Sequence, residues 1–117
     1  MSKKILIVDD DQEIRSYLSE LLGDNGYETV TANDGAEAVE IAKTEKPDLI
    51  TLDLEMPNEW GPRFYRKISQ DDALKRTPVV VISGLNAIKY AIPKAIASLT
   101  KPFEPAQLLK IVKDAIG

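Results

Sequence analysis

Five residues with chemistry to offer stand far apart along the chain, each at the end of an apolar run. Asp9 and Asp10 follow KILIV (4–8), with Asp11 behind them, and Asp53 closes the run in DLITLD (48–53). Ser83 ends PVVVIS (78–83), and Lys101, then Pro102, follows AIASLT (95–100). A carboxylate at the edge of an apolar run costs desolvation energy unless something pairs with it. If the run ends meet, three carboxylates, a hydroxyl and an ammonium share one patch. Carboxylates about 4 Å apart repel by roughly 4 kcal/mol per pair at an effective dielectric near 20, so the patch calls for a cation. Hard oxygen donors, with no imidazole or thiolate anywhere in the chain, point to Mg²⁺. A magnesium beside a carboxylate, a lysine and a hydroxyl makes up a parts list for phosphoryl transfer. Asp53 would be the nucleophile, Lys101 and the metal would neutralise the phosphoryl oxygens, and Ser83 would donate to one of them.

Whether the ends meet depends on the elements that carry them. KILIV is a short apolar run of the kind buried on both faces of a sheet. Ile14, Leu18, Leu21 and Leu22 then repeat at helical spacing, with Asp11 placed to cap the helix and GDNG (23–26) to end it. YETVTA (27–32) reads as a strand and NDG (33–35) as a turn. A second helix is expected from about Ala36 to Thr44, where Pro47 bars continuation. After the third strand, Gly61-Pro62 opens a helix whose inner face is Phe64, Tyr65 and Ile68. PVVVIS is the clearest buried strand and AIASLT a weaker one. Glu104-Pro105 opens the last helix, with Leu108, Ile111, Val112, Ala115 and Ile116 at helical spacing.

This is an α/β pattern, (βα)₅, in a single unit over residues 1–117. It predicts a parallel five-stranded sheet with helices on both faces, a three-layer sandwich joined by right-handed crossovers. Five strands favour the flavodoxin-like order 2-1-3-4-5, in which ligands bind at the carboxyl ends of strands 1 and 3. In that order strands 1, 3, 4 and 5 are neighbours, so the five residues converge. A cis bond before Pro102 would aim Lys101 inward.

The bulk numbers narrow the class. The chain has 117 residues, 44% hydrophobic and 29% charged, with net charge −4. That balance argues against non-specific binding to nucleic acid or anionic membranes. No cysteine excludes a disulfide framework or a thiolate nucleophile, and no histidine excludes a phosphohistidine carrier. The apolar run near the start is too short for a signal peptide or a membrane span, so a cytoplasmic protein is expected.

Taken together, ILIVDDD (5–11), PDLITLDLEMPNEWG (47–61), TPVVVISG (77–84) and TKPFEP (100–105) resemble a response-regulator receiver domain, the phosphoacceptor module of two-component signalling. The resemblance runs nearly the whole length. It implies that Asp10 ligates the metal directly and Asp9 through water. It places the phosphoacceptor on Asp53, a ligating backbone carbonyl on Glu55, the switch hydroxyl on Ser83 and the family's lysine on Lys101. It further implies a sensor histidine kinase or phosphotransfer protein as donor and a downstream protein as recipient of the signal. The domain would catalyse only its own phosphorylation and dephosphorylation. The last helix ends at Gly117, so no output domain is expected.

Singly, each residue has a plainer reading. The Asp9–Asp11 run complements a helix macrodipole, Ser83 bonds backbone at a strand end, and Lys101 is a solvated charge. Trp60 packs a loop or belongs to a partner surface near the acceptor. Two departures from the family pattern bear on output. Ser98 stands three residues before Lys101, where receivers commonly carry an aromatic ring. The stretch from Ser83 to Lys101 is roughly one helical turn shorter than usual and holds Pro93, so a shortened or irregular fourth helix is expected. These departures lend weight to an alternative, a non-phosphorylated binding or scaffold module on the same fold. An aspartate-nucleophile phosphatase is suggested by the spacing of Asp53 and Glu55, but the chain is short for one. Flavin binding is opposed by the acidic loop after strand 1.

Overall fold

The five apolar runs form one parallel sheet in the computed structural model, which describes residues 2–57, 60–84 and 95–117. In chain order the elements are β1 (Lys4–Val8), α1 (Gln12–Asp24), β2 (Glu28–Ala32), α2 (Gly35–Glu45), β3 (Leu49–Leu52), α3 (Trp60–Ser69), β4 (Val79–Ser83), β5 (Ala97–Thr100) and α4 (Pro105–Ile116). The strand order is β2-β1-β3-β4-β5, as the alternation predicts. The irregular helix expected between β4 and β5 falls on residues 85–94, outside the described residues, so α4 here is the last helix. Helix α3 begins at Trp60, one residue before the expected Gly61, and the other boundaries agree to within two residues.

Alternation along the strands divides the core into two layers. Leu6, Val8, Ile50, Leu52, Val79 and Val81 face α2 and α3, meeting Ala38, Ala42, Phe64 and Ile68. Ile5, Ile7, Leu49, Val80 and Ile82 face α1 and α4, meeting Leu18, Leu22, Leu108 and Val112. Both faces are therefore dry, which is why β1, β3 and β4 read as continuous apolar runs.

Local chemistry sets the helix ends. The Asp11 carboxylate accepts from Glu13 N at 2.9 Å and the Asp34 carboxylate from Glu37 N at 2.7 Å, each capping its helix. Lys46, at φ 47°, closes α2 ahead of Pro47. Pro105 occupies the first turn of α4. Among the described residues no helix is long and apolar enough to cross a membrane.

Backbone pairing continues one residue past the strands at the carboxyl edge. Asp9 N donates to Ala32 O at 3.3 Å, Asp53 N to Val8 O at 3.0 Å, and Lys101 N to Ser83 O at 2.9 Å. The residues that carry chemistry are thus held by the sheet itself at its rim.

Among the described residues, one buried side-chain polar atom lacks a partner. Thr51, in mid-β3 and 1% exposed, has a hydroxyl with no hydrogen bond. An orphaned buried hydroxyl costs more than a methyl of the same shape. Thr51→Val is expected to raise stability by about 1 kcal/mol, a rise of roughly 3–6 °C in Tm by circular dichroism. A lower Tm would show that the hydroxyl has a partner, such as a buried water.

Candidate functional site

The carboxyl rim brings together the residues singled out from the sequence. Carboxylate oxygens of Asp9, Asp10 and Asp53 lie within 4.8 Å of one another. Asp9 and Asp53 are buried, at 2% and 4% exposure, while Asp10 is exposed. Lys101 Nζ reaches in from the end of β5, 2.9 Å from Asp9 Oδ2 and 3.5 Å from Asp53 Oδ2. The Lys101–Pro102 peptide is cis, as the inward aim of Lys101 suggests. Ser83 Oγ, also buried, donates to Asp53 Oδ1 at 2.7 Å and accepts from Leu54 N at 3.3 Å.

Asp53 is consequently fixed on both sides. Its Oδ1 accepts from Ser83 Oγ and from Glu55 N at 2.9 Å, and its Oδ2 faces the ammonium. A carboxylate oriented by three donors at the mouth of a sheet is held in place for an incoming electrophile.

The charges do not balance. Among the described residues, three carboxylates share one lysine ammonium, and two buried carboxylates within this distance repel by roughly 3 kcal/mol or more. Burial pushes the Asp9 carboxyl above its ordinary pKa, with the Asp53 charge adding to the rise. The Lys101 hydrogen bond and the Asp11 N–H pull it back only in part. Burial works against the Lys101 ammonium as well. The hydrogen bond to Asp9 and the charges of Asp53 and Asp9 outweigh it, so the lysine pKa is raised and the side chain stays a cation. The surplus of negative charge, carried by hard oxygens with one carboxylate facing solvent, fits a divalent cation such as Mg²⁺.

Glu55 enters differently. Its side chain is not among the clustered carboxylates. It lies over Gly84, where Glu55 Oε1 sits in the space a Cβ would fill. Nothing in the residue pattern announces this contact, nor two others. Gly61 packs on the acceptor's own backbone, where an added Cβ would lie 2.5 Å from Leu54 Cα and 2.8 Å from Asp53 O. Arg15 Nη1 donates to the backbone carbonyl of Asp9 at 2.6 Å. The Trp60 ring packs on Gly35 at the start of α2, and Arg63 stacks 4.1 Å from the ring centroid. Ser98 is exposed on β5. Phe64 and Tyr65 are core, as expected.

Comparison with known proteins agrees with this geometry. The family profile described as the response regulator receiver domain matches residues 5–113. Protein Rrf1 of Nitratidesulfovibrio vulgaris is 35% identical over the whole of this chain, which spans 85% of Rrf1. The chemotaxis protein CheY of Bacillus subtilis is 34% identical, with both chains fully covered. The chain covers only 48% of a third relative, the regulatory protein PhoP of B. subtilis, at 35% identity. Among solved structures, the chemotaxis response regulator CheY4 of Vibrio cholerae superposes with a TM-score of 0.88 at 34% identity, covering 99% of this chain and 100% of CheY4.

The two glycines beside the acceptor make opposite demands. A Cβ at position 61 meets backbone, which cannot yield, whereas one at 84 meets the tip of a flexible glutamate. Gly61→Ala is expected to cost about 1–3 kcal/mol in urea unfolding, and Gly84→Ala far less. Equal costs at the two positions would refute this account of the contacts.

Proposed function

Starting from a chain that belongs to the response regulator receiver domain family of two-component signalling, we propose that it is a phosphoacceptor switch with Asp53 as the acceptor. The observation that carries this reading is the Asp53 carboxylate itself. It is buried, held by the Ser83 hydroxyl at 2.7 Å, faced by Lys101 at 3.5 Å, and crowded by two further carboxylates. The residues 1–117 form one receiver domain that acts as a signalling module and not as an enzyme on other substrates.

The donor is the phosphohistidine of a sensor histidine kinase or a phosphotransfer protein. An Asp53 oxygen attacks phosphorus, the P–O bond forms, and the P–N bond breaks with its electron pair left on the imidazole, which takes up a proton. Lys101 meets the charge on the phosphoryl oxygens and Ser83 turns its donated hydrogen bond to one of them. Asp10, Asp53 and the Glu55 backbone carbonyl, with Asp9 beside them, would hold Mg²⁺, which would supply charge neutralisation there. Hydrolysis returns the carboxylate: water attacks phosphorus and Asp53 leaves with the electron pair of the P–O bond.

The output route departs from the common one. Ser98 offers no ring to follow the Ser83 hydroxyl. The contacts of Gly61 with Asp53 and Leu54, and of Trp60 with Gly35, join the acceptor instead to α3 and α2. We assign the readout for a downstream protein to this side of the domain. A non-phosphorylated scaffold would have no physical need to gather five such residues at one rim.

Incubation with Mg²⁺ and acetyl phosphate, followed by intact-protein mass spectrometry, is expected to show a phosphoryl-sized gain. The gain should vanish in Asp53→Asn and after chelation of the metal, and form roughly 100-fold more slowly in Lys101→Ala. Absence of any gain in the unaltered protein would leave the scaffold reading standing.

A further inference from the structure

Arg15 places a cation at the N-terminal end of α1, beside the acidic rim. It lies in the first turn of α1, and its N–H donates to Asp11 O at 3.0 Å as one of the first hydrogen bonds of the helix. Positive charge at a helix N-terminus opposes the macrodipole. Against this, Nη1 donates to Asp9 O at 2.6 Å, a charge-assisted bond at the short end of the range.

That carbonyl belongs to the peptide joining Asp9 to Asp10. Among the described residues no backbone N–H donates to it. The rest of Asp9 is already tied: its N–H to Ala32 O, its Oδ1 to Asp11 N at 2.9 Å, its Oδ2 to Lys101. The Asp10 carboxylate is exposed, and its placement depends on the peptide from which it hangs. We propose that Arg15 is a positioning residue: its guanidinium clamps the Asp9–Asp10 peptide and thereby sets the Asp10 carboxylate against Asp53 for cation binding. A planar, directional donor suits this task better than a mobile ammonium.

The proposal rests on the acceptor-site reading above, and it has a rival with the opposite sign. If Arg15 acted only as a nearby positive charge, its removal would make the acidic cluster more negative and tighten cation binding. If it positions Asp10, removal weakens binding. Arg15 is only partly buried, so its replacement opens no cavity in the core.

Isothermal titration with MgCl₂ on the intact chain separates the two. Arg15→Gln is expected to weaken the Mg²⁺ Kd about tenfold, the usual scale for a residue that orients a ligand. Arg15→Lys, which keeps the charge and one donor, should fall between. A second arm needs no metal: in chelator-containing buffer, exchange of the Asp11 N–H held by Asp9 Oδ1 should speed up several-fold in Arg15→Gln. An unchanged or tighter Kd in Arg15→Gln overturns the proposal, and so does unchanged exchange at Asp11. Failure of the unaltered protein to bind Mg²⁺ would instead remove the metal from the acceptor reading, and the exchange arm would still decide the role of Arg15.

Discussion

Confinement of like charge at the sheet's rim is the constraint on which the rest of the structure depends. Asp9 and Asp53 are almost fully buried, and a third carboxylate stands beside them with one lysine for company. Such a group of atoms would scatter if the backbone allowed it. It is held because each carrier residue is bonded one step beyond its strand, to Ala32 O, Val8 O and Ser83 O. The dry core on both faces supplies the rigidity. Leu52 and Val8, Cα partners in adjacent strands, fix the separation of β1 and β3 one residue before the carboxylates of Asp53 and Asp9. The apolar composition of these strands is thus part of the site's electrostatics, because a softer sheet would let the charges relax apart.

The same rim connects outward through contacts that tolerate no side chain. Gly61 puts the start of α3 directly on the backbone of Asp53 and Leu54. Next to it, the Trp60 ring covers Gly35 at the head of α2 and carries the Arg63 guanidinium 4.1 Å from its centroid. A displacement of the β3–α3 loop therefore has two helices to move. Close-packed interiors respond to such a push by changing arrangement, not by deforming smoothly. This gives the α2–α3 side a mechanical link to the acceptor that does not pass through β5, where Ser98 is exposed and small.

Sheet order, both core layers and the convergence of Asp9, Asp10, Asp53, Ser83 and Lys101 were legible in the residues alone. They follow from period-two burial and from the topology of alternating strands and helices, which leave few options. The contacts of Gly61, Gly84 and Arg15 were not. Each joins a residue to backbone or side chain at a distance that depends on the finished packing, and a glycine announces only freedom, not what occupies its missing side chain. Arg15 had one signal in advance: a cation in the first turn of a capped helix runs against the dipole, and such a misfit asks for a partner elsewhere. Thr51 had none, since a threonine suits a strand by propensity and its hydroxyl is orphaned only by the residues around it.

Charge accounting at the rim explains why its parts belong together. Three carboxylates and one ammonium leave two negative charges in excess, which a divalent cation would cancel. Phosphorylation of Asp53 replaces one carboxylate charge with a phosphoryl group bearing about two, so the balanced site becomes negative again by roughly one. The donors able to respond are those now spent on the unmodified carboxylate: the Ser83 hydroxyl on Oδ1, the Glu55 N–H beside it and Lys101 near Oδ2. Ser83 also accepts from Leu54 N, the residue on which Gly61 rests. Turning that hydroxyl toward a phosphoryl oxygen therefore disturbs the backbone on which α3 is seated. The acceptor's hydrogen bond and the helix's contact share one peptide, so the proposed transfer to Asp53 would act first on the seat of α3.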